Sequence, residues 1–182
     1  LLQRSVLQYT PQADAKALDF YTDYAAESMI AFVDESATMQ VIDNLVSNAV
    51  KYSPQGKKIY IRLRYVSSAI APTTHTLMTN APAPMTNDRL SENNAITSDL
   101  LPATALRIEV QDEGPGISED DMKKLFGKFA RLSAQPTGGE HSTGLGLSIV
   151  KKMVEAMNGR VWCESEFGKG ATFIAEFPSV YP

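Results

Sequence analysis

The sequence of 182 residues predicts an α/β domain: a two-layer α/β sandwich with helices on one face of a mixed, mainly antiparallel sheet. Helix-like and strand-like hydrophobic periods alternate along the chain, and several strand-like segments are separated by turns short enough to require antiparallel pairing. The composition, 43% hydrophobic and 21% charged, is typical of a soluble globular protein. We therefore expect residues 1–182 to form one domain around one core.

The individual elements follow from these periods and from the residues that end them. In chain order, the pattern predicts strands at 17–24 and 28–33, a helix capped by residues 34–36 whose apolar period runs over 39–52, strands at 57–66 and 104–112, a short helix over 118–126, a helix over 145–157, and strands at 160–167 and 171–177. Pro54 and Gly56 end the first helix, and Asn158 with Gly159 ends the last. Strands 57–66 and 104–112 are expected to pair as a hairpin.

Residues 67–103 interrupt that hairpin and have a different composition. They contain no Phe, Tyr, Trp, Gly or Lys and are rich in Thr, Asn, Ala, Ser and Pro. Such a segment buries little apolar area, so we expect a low-complexity insert whose removal costs little stability.

Charge and cysteine content exclude several classes of protein. The net charge of −4 argues against a nucleic-acid-binding protein, and no run approaches the roughly 20 apolar residues that cross a bilayer. The lone Cys163 allows no internal disulfide and no cysteine-based zinc site, which favours a reducing, cytoplasmic compartment. Because the chain begins Leu1-Leu2 without a signal-peptide pattern, we expect a piece of a longer protein.

One face of the first long helix carries polar side chains suited to a phosphate ligand. Gln40, Asn44, Asn48 and Lys51 lie within an arc of about 80° at 100° per residue. Amide oxygens suit Mg²⁺, and a lysine supplies a point charge for phosphate. The stripe is equally explained as the solvated face of an amphipathic helix.

Two glycine-containing turns are also candidates for ligand contact. Asp112 ends a strand and is followed by Gly114 and Gly116; its carboxylate could accept a hydrogen bond from an exocyclic amine. Gly144 and Gly146 open a helix, where backbone N–H groups favour phosphate. An ordinary strand-to-helix turn explains the first equally well, and a single G-x-G is a weak signal. The dinucleotide-binding and P-loop patterns do not occur.

Five stretches taken together are far more specific than any one of them. In chain order they are NLVSNAVKYS (44–53), DEGPGI (112–117), LFGKFARL (125–132), TGLGLSIV (143–150) and GKGATF (168–173). In order and spacing they resemble the N box, G1 box, F box, G2 box and G3 motif of the catalytic ATP-binding domain of sensor histidine kinases, a branch of the GHKL ATPase and kinase superfamily. The resemblance extends from about residue 14 to 178, except for 67–103.

The resemblance implies ATP and Mg²⁺ as cofactors and gives roles to individual residues. Asn48 would hold the Mg²⁺ at the phosphates with Asn44 beside it, and Asp112 would accept from the adenine amino group. The implied catalytic residues are Asn48, Lys51 and Arg131. The other implied nucleotide-binding residues are Tyr52, Gly114, Gly116, Ile117, Phe129, Thr143, Gly144, Leu145, Gly146, Leu147 and, through a water, Thr172.

The resemblance further implies a mobile lid and a phosphoryl acceptor outside this chain. Phe126 and Phe129 would anchor a lid from about Gly127 to Thr143. Neither His75 nor His141 fits the acceptor motif, so the γ-phosphate would go to a histidine on a separate dimerisation domain that is absent here. A response regulator and a homodimeric full-length protein are the implied partners, with no nucleic acid and no membrane contact by this piece.

Two other functions remain open at this stage. Related gyrase, mismatch-repair and chaperone ATPases carry a glutamate base where this chain has Asn44, and an amide cannot accept a proton from water at neutral pH. A non-catalytic nucleotide-binding or scaffold domain would not need Asn48 and Lys51, yet both are present. We therefore favour phosphoryl transfer over ATP hydrolysis or binding alone.

Overall fold

The computed structural model describes residues 1–24, 31, 33–67, 104–130, 132–139 and 143–179. Its elements are α1 (Leu2–Ala15), β1 (Asp19–Tyr24), α2 (Glu35–Tyr52), β2 (Lys58–Ser67), β3 (Thr104–Asp112), α3 (Glu119–Met122), α4 (Gly146–Ala156), β4 (Arg160–Ser165) and β5 (Ala171–Ser179). The predicted insert after Ser67, Arg131, both histidines and most of the predicted strand 28–33 lie outside the described residues. Ala31 and Val33 of that strand are described and belong to no strand.

The five strands form one sheet in the order β1-β2-β3-β5-β4. Only β1 and β2 run parallel; β2–β3, β3–β5 and β4–β5 are antiparallel. Helices α1, α2 and α4 pack around one core with one face of the sheet, which contributes Ile59, Ile61, Val110 and Phe173 among others. The predicted two-layer sandwich with a mixed, mainly antiparallel sheet is confirmed.

Helix α1 is an element that the sequence did not predict. Pro11 lies inside it, and of its fourteen residues only Leu2, Ser5 and Ala13 are buried. A proline and a weak apolar stripe both argue against a helix when only local pattern is available. The following strand begins at Asp19 rather than at residue 17, because Ala17 adopts a positive φ of 49° in the intervening turn.

Helix α2 is the central element of the helical layer. The Asp34 side chain, one of the predicted capping residues, accepts from the Ala37 N–H at 2.7 Å, so the helix begins at Glu35. Its buried residues are Thr38, Met39, Val41, Ile42, Leu45, Val46, Ala49 and Val50. None of the helices among the described residues is long and apolar enough to span a membrane.

A buried carboxylate ties together the three strands on the other face of the sheet. Glu176 of β5 is fully buried, and its two oxygens accept from Arg107 Nη2 and Arg160 Nε, each at 2.6 Å. Both guanidinium groups also lie over the ring of Trp162. A buried charge needs partners of this kind, so these contacts hold β3, β5 and β4 in one register.

Two buried serines give a matched test of this packing. Ser5 donates its hydroxyl to Asp43 at 2.8 Å, whereas the Ser53 hydroxyl has no hydrogen-bond partner among the described residues. We expect Ser5→Ala to lower the free energy of unfolding by about 1–2 kcal/mol, and Ser53→Ala to leave it unchanged or raise it. Urea unfolding at unchanged m-value measures both. Equal losses in the two variants would contradict the hydrogen-bond assignment.

Candidate nucleotide-binding site

A cavity of about 390 Å³ lies where the end of α2, the loop after β3 and the start of α4 meet. Its volume is that of a small-molecule site. Eight residues implied by the resemblance line it: Asn48, Tyr52, Asp112, Gly116, Ile117, Gly144, Gly146 and Leu147. Nine further residues complete the lining: Pro115, Leu125, Ala130, Leu132, Ala134, Gln135, Pro136, Ala171 and Phe173.

Asp112, the last residue of β3, is the buried polar group of this cavity. It is 5% exposed, and its Oδ1 accepts from the N–H groups of Gly114 at 2.8 Å and Ala171 at 3.3 Å. No described residue donates to Oδ2. Burial raises the pKa of Asp112 to about 6, although the two backbone N–H groups act in the opposite direction. The group can therefore accept a hydrogen bond from a ligand through Oδ2.

The glycines around Asp112 are required by contacts within the protein. A Cβ on Gly116, whose φ is +68°, would lie 2.2 Å from the Glu166 carbonyl oxygen. A Cβ on Gly170 would lie 2.1 Å from the Asp112 carbonyl oxygen, and one on Gly114 would lie 2.7 Å from Asp112 Oδ1. The resemblance implies that Gly114 and Gly116 let the base approach; contacts within the protein are a further reason for glycine at both positions.

The end of α2 forms the opposite wall of the cavity. Asn48 and Tyr52 are partly buried and line it, and no described residue hydrogen-bonds the Asn48 amide. Asn44 and Lys51 are not among the lining residues. Asn44 donates to the Gln40 carbonyl at 2.8 Å, and its Oδ1 would lie 2.7 Å from a Cβ on Gly146. Asn44 thus packs α2 against the start of α4.

The start of α4 supplies backbone donors to the same wall. Leu145 is the N-cap residue and provides no side-chain cap, so the first N–H groups of α4 have no side-chain acceptor. Gly144, at φ +68°, packs so closely on Ala130 that a Cβ would lie 2.8 Å from its carbonyl oxygen. With Gly146 and Leu147 in the lining, this arrangement suits an anionic group.

The oxygen ligand that this wall offers suits a hard cation whose other ligands are waters and phosphate oxygens. The described residues contain no group of three or more His, Cys, Asp or Glu side chains that could enclose a metal ion. The Asn48 amide oxygen is a neutral, hard donor. Mg²⁺ keeps several waters and binds proteins through one or two side chains plus phosphate oxygens, so Asn48 is sufficient as its protein ligand.

The described part of the predicted lid is attached at two points. Asp121 of α3 accepts from the N–H of Ser133 at 2.9 Å and from its hydroxyl, and contacts Lys124 Nζ at 2.9 Å. These contacts, above all the Ser133 hydroxyl, hold the pKa of Asp121 well below its usual range. Thr137 donates its N–H to the Lys51 carbonyl at 3.0 Å and its hydroxyl to the Ser53 carbonyl at 2.7 Å.

Several implied site residues lie away from the cavity. Thr172 faces the other side of the sheet between Gln111 and Glu164, because residues alternate along β5; Ala171 and Phe173 face the cavity instead. Phe129 is 70% exposed at φ +57° and is not part of the described core, whereas Phe126 packs against the core. Thr143 and Leu145 do not line the cavity. Arg131 lies outside the described residues.

The lining residues that sequence analysis missed are mostly apolar. Ala171 and Phe173 were detectable, since period-two alternation along β5 puts them on the face of Asp112. Leu132, Ala134, Gln135 and Pro136 had no such signal, because their positions depend on the contacts of Ser133 and Thr137 with distant residues.

Comparison with known proteins identifies the family. Residues 33–180 match the model of the histidine kinase-, DNA gyrase B-, and HSP90-like ATPases. The sensor histidine kinase WalK of Bacillus subtilis is 30% identical over 161 residues, which are 88% of this chain and 21% of WalK. The adaptive-response sensory kinase SasA of a Synechococcus strain is 28% identical over 178 residues, 98% of this chain and 37% of SasA. The chain therefore spans well under half the length of either relative.

Solved structures of histidine kinases share the fold. The mycobacterial sensor histidine kinase MprB superposes with a TM-score of 0.69 at 19% identity, covering 97% of this chain and 92% of the MprB chain. The nucleotide-free catalytic domain of ThkA gives 0.66 at 23% identity, with 98% and 90% covered. Full-length ShkA in complex with AMPPNP gives 0.66 at 22% identity, covering all of this chain and 30% of ShkA. The chain belongs to the histidine kinase-, DNA gyrase B- and HSP90-like ATPase family, and its relatives are sensor histidine kinases.

Proposed function

We propose that this chain binds Mg-ATP and transfers its γ-phosphate to a histidine on a separate dimerisation domain of the same protein. One observation carries the proposal: a single cavity has a buried carboxylate with an unoccupied acceptor oxygen on one wall and an unbonded amide beside a helix N-terminus on the other. A purine base suits the first wall, and a triphosphate suits the second. The resemblance to ShkA, which was solved with AMPPNP, supports the same ligand class.

Recognition of the base rests on Asp112. Its Oδ1 is occupied by two backbone donors, which leaves Oδ2 to accept from an exocyclic amine such as that of adenine. Guanine and hypoxanthine present a carbonyl oxygen at the corresponding position, and a carbonyl oxygen repels an ionised carboxylate. Ile117, Leu147 and Phe173 supply apolar contact to a planar base.

We assign the phosphates of ATP to the opposite wall, which the end of α2 and the start of α4 form. Asn48 would hold Mg²⁺, which neutralises the phosphate oxygens and orients the γ-phosphate when bound. The N–H groups at the start of α4 would donate to phosphate oxygens; the resemblance implies Lys51 near the phosphates and ribose and Arg131 at the γ-phosphate. Positioning and charge stabilisation are the main contributions of the protein to phosphoryl transfer.

The scarcity of carboxylates in the described part of the cavity favours transfer of phosphate to a protein acceptor over hydrolysis of ATP. Among its described lining residues Asp112 is the single acidic side chain, and it belongs to the base-binding wall. Asn44 cannot serve as a general base. Water near the γ-phosphate therefore has no described side chain to deprotonate it.

The remaining assignments follow from the sensor histidine kinase relatives. The partners we propose are the dimerisation domain of the same protein, a second copy of the full-length protein and a response regulator. The domain would act in the cytoplasm. A scaffold role without nucleotide is disfavoured because the Asn48 amide lies in the cavity with no hydrogen-bond partner among the described residues, where a ligand can use it.

Base recognition predicts a pH dependence for nucleoside binding. Adenosine has no phosphate that titrates near neutrality, so it isolates the base-binding wall. The folded-state pKa of Asp112, about 6, lies above its ordinary value, and adenosine should prefer the ionised carboxylate. Adenosine affinity should therefore fall as the pH is lowered from about 7.5 to about 5, towards tenfold per unit below the pKa. Calorimetry at each pH measures this.

The matched variant is Asp112→Asn, which has no titrating group at this position. It should bind adenosine weakly at every pH and lose the preference for ATP over GTP. A pH profile parallel to that of the unmodified protein would remove Asp112 from base recognition.

Asn48 should matter more for transfer than for binding. Because the metal orients the γ-phosphate in the transition state, Asn48→Ala should slow phosphoryl transfer by about 100-fold, or ~2.7 kcal/mol, with a much smaller loss of ATP affinity. The assay supplies a dimerisation domain bearing the acceptor histidine and follows transfer of labelled phosphate. Gln40→Ala, an exposed amide on the same helix, is the control. Unchanged transfer by Asn48→Ala at saturating Mg²⁺ would place the metal elsewhere.

Nucleotide should order the lid. Ser133 and Thr137 hold residues 132–139 to the rest of the domain by hydrogen bonds and Leu132 packs against the core, so the amides of Ala134 and Gln135 should exchange quickly with solvent in the free protein. Binding of AMPPNP with Mg²⁺ should slow exchange across 127–143, since the ligand adds contacts to the lining residues of this segment. Hydrogen exchange with and without the analogue measures it. Identical protection in both states would exclude a gating role.

A further inference from the structure

Lys16, the residue after α1, holds the end of α2 from outside the cavity. Its Nζ donates to the carbonyl oxygens of Val50 at 2.6 Å and Lys51 at 3.1 Å. Its own carbonyl accepts from the N–H of Gly56 at 3.0 Å, in the turn that follows α2. Lys16 is thus bound at both ends to the same segment, 50–56.

These contacts act as the C-terminal cap of α2. The last four carbonyl oxygens of a helix receive no hydrogen bond from within the helix, and the helix dipole favours a cation beside them. Helix α2 ends at Ser53 in an extended conformation rather than at a glycine in the left-handed region. The Lys16 ammonium therefore caps the C-terminus of α2, where other helices have a glycine motif.

The Lys51 carbonyl is also one attachment point of the lid. A hydroxyl has one proton, and the Thr137 hydroxyl is closer to the Ser53 carbonyl, at 2.7 Å, than to that of Lys51, at 3.1 Å. Among the described residues, the donors to the Lys51 carbonyl are then Lys16 Nζ and the Thr137 N–H, and a carbonyl oxygen has two lone pairs to receive them. One carbonyl joins the region after α1, the end of α2 and the lid.

We propose that Lys16 and Thr137 are positioning residues for nucleotide binding, which set the phosphate-binding wall through the carbonyls of residues 50, 51 and 53 at the end of α2. Asn48, Lys51 and Tyr52 project from the helical turn that the two residues hold, and Gln135 and Pro136 precede Thr137 in the cavity lining. Asp112 is held separately, by the N–H groups of Gly114 and Ala171. The inference rests on the proposed function, since it assigns these residues to one half of the nucleotide site.

Because different contacts hold the two walls, displacing one wall changes the ratio of the Mg-ATP affinity to the adenosine affinity. General destabilisation of the domain leaves that ratio unchanged. If Lys16 positions the phosphate-binding wall, its loss weakens Mg-ATP binding and leaves adenosine binding unchanged. A residue with only a structural role would lower the melting temperature and affect both ligands alike, or neither. The ratio of the two affinities is therefore the quantity to measure.

The experiment compares Lys16→Met, which keeps the length of the side chain without its charge, with the conservative Lys16→Arg. Lys152→Met removes an exposed lysine from α4 and is the control. Calorimetry with Mg-AMPPNP and with adenosine gives both affinities. We expect Lys16→Met to weaken Mg-AMPPNP binding by about three- to tenfold with adenosine binding unchanged, Lys16→Arg to restore it, and Lys152→Met to behave as the unmodified protein.

The lid side of the junction is tested by Thr137→Val and Thr137→Ser. Thr137→Val removes the hydroxyl that binds the Ser53 carbonyl but keeps the N–H that binds the Lys51 carbonyl; it should weaken Mg-AMPPNP binding by about two- to threefold, whereas Thr137→Ser should not. Because both residues act on the end of α2, the effects of Lys16→Met and Thr137→Val should be non-additive in the double variant. Thr137 is exposed, so this arm is unaffected should Lys16→Met fail to fold.

The outcomes separate this inference from the proposed function. An unchanged affinity ratio in both Lys16→Met and Thr137→Val, with the unmodified protein binding both ligands, overturns the positioning role alone. If the unmodified protein binds neither ligand, the proposed function fails. A parallel loss of both affinities in Lys16→Met, tracking its melting temperature, assigns Lys16 to stability and also overturns the inference.

Discussion

The burial of Asp112 at the end of β3 is the constraint on which the site depends. A carboxylate that is 5% exposed needs donors, and the structure supplies them from Gly114 on one side and Ala171 on the other. The two loops that carry these donors must come close together, which is why Gly116 and Gly170 meet backbone atoms where a Cβ would stand. Because Oδ1 of Asp112 accepts hydrogen bonds within the protein, Oδ2 remains available to a ligand.

The two walls of the cavity are built by different physical means. The base-binding wall belongs to the sheet, whose strands β3, β5 and β4 are held in register by backbone ladders and by buried Glu176 with its two arginines. The opposite wall consists of two helix ends, which lack intrahelical partners by construction. Its geometry therefore depends on groups brought from elsewhere, Lys16 and Thr137 at α2 and the close contact of Asn44 with Gly146 at α4.

Prediction from sequence succeeded where local pattern and burial agree. The buried face of α2 and the strand ending at Asp112 were assigned correctly, because a periodic segment has one face to bury. Prediction failed at α1, because Pro11 and a weak apolar stripe hide the helical pattern. It also failed at Thr172, because the role of this residue was taken from the motif without regard to the alternation of residues along β5. The four lining residues between Leu132 and Pro136 belong to no periodic segment and had no local signal.

By itself the sequence determined the fold class, the family and the residues that could carry chemistry, since periodicity and motif order are properties of the chain alone. The tertiary structure decided which of those residues share a cavity, that Ala171 rather than Thr172 stands beside Asp112, and that the Lys51 carbonyl receives Lys16 and Thr137. Those contacts join residues up to 86 positions apart. No local pattern encodes them, because they form only when the sheet and the helices pack on one another.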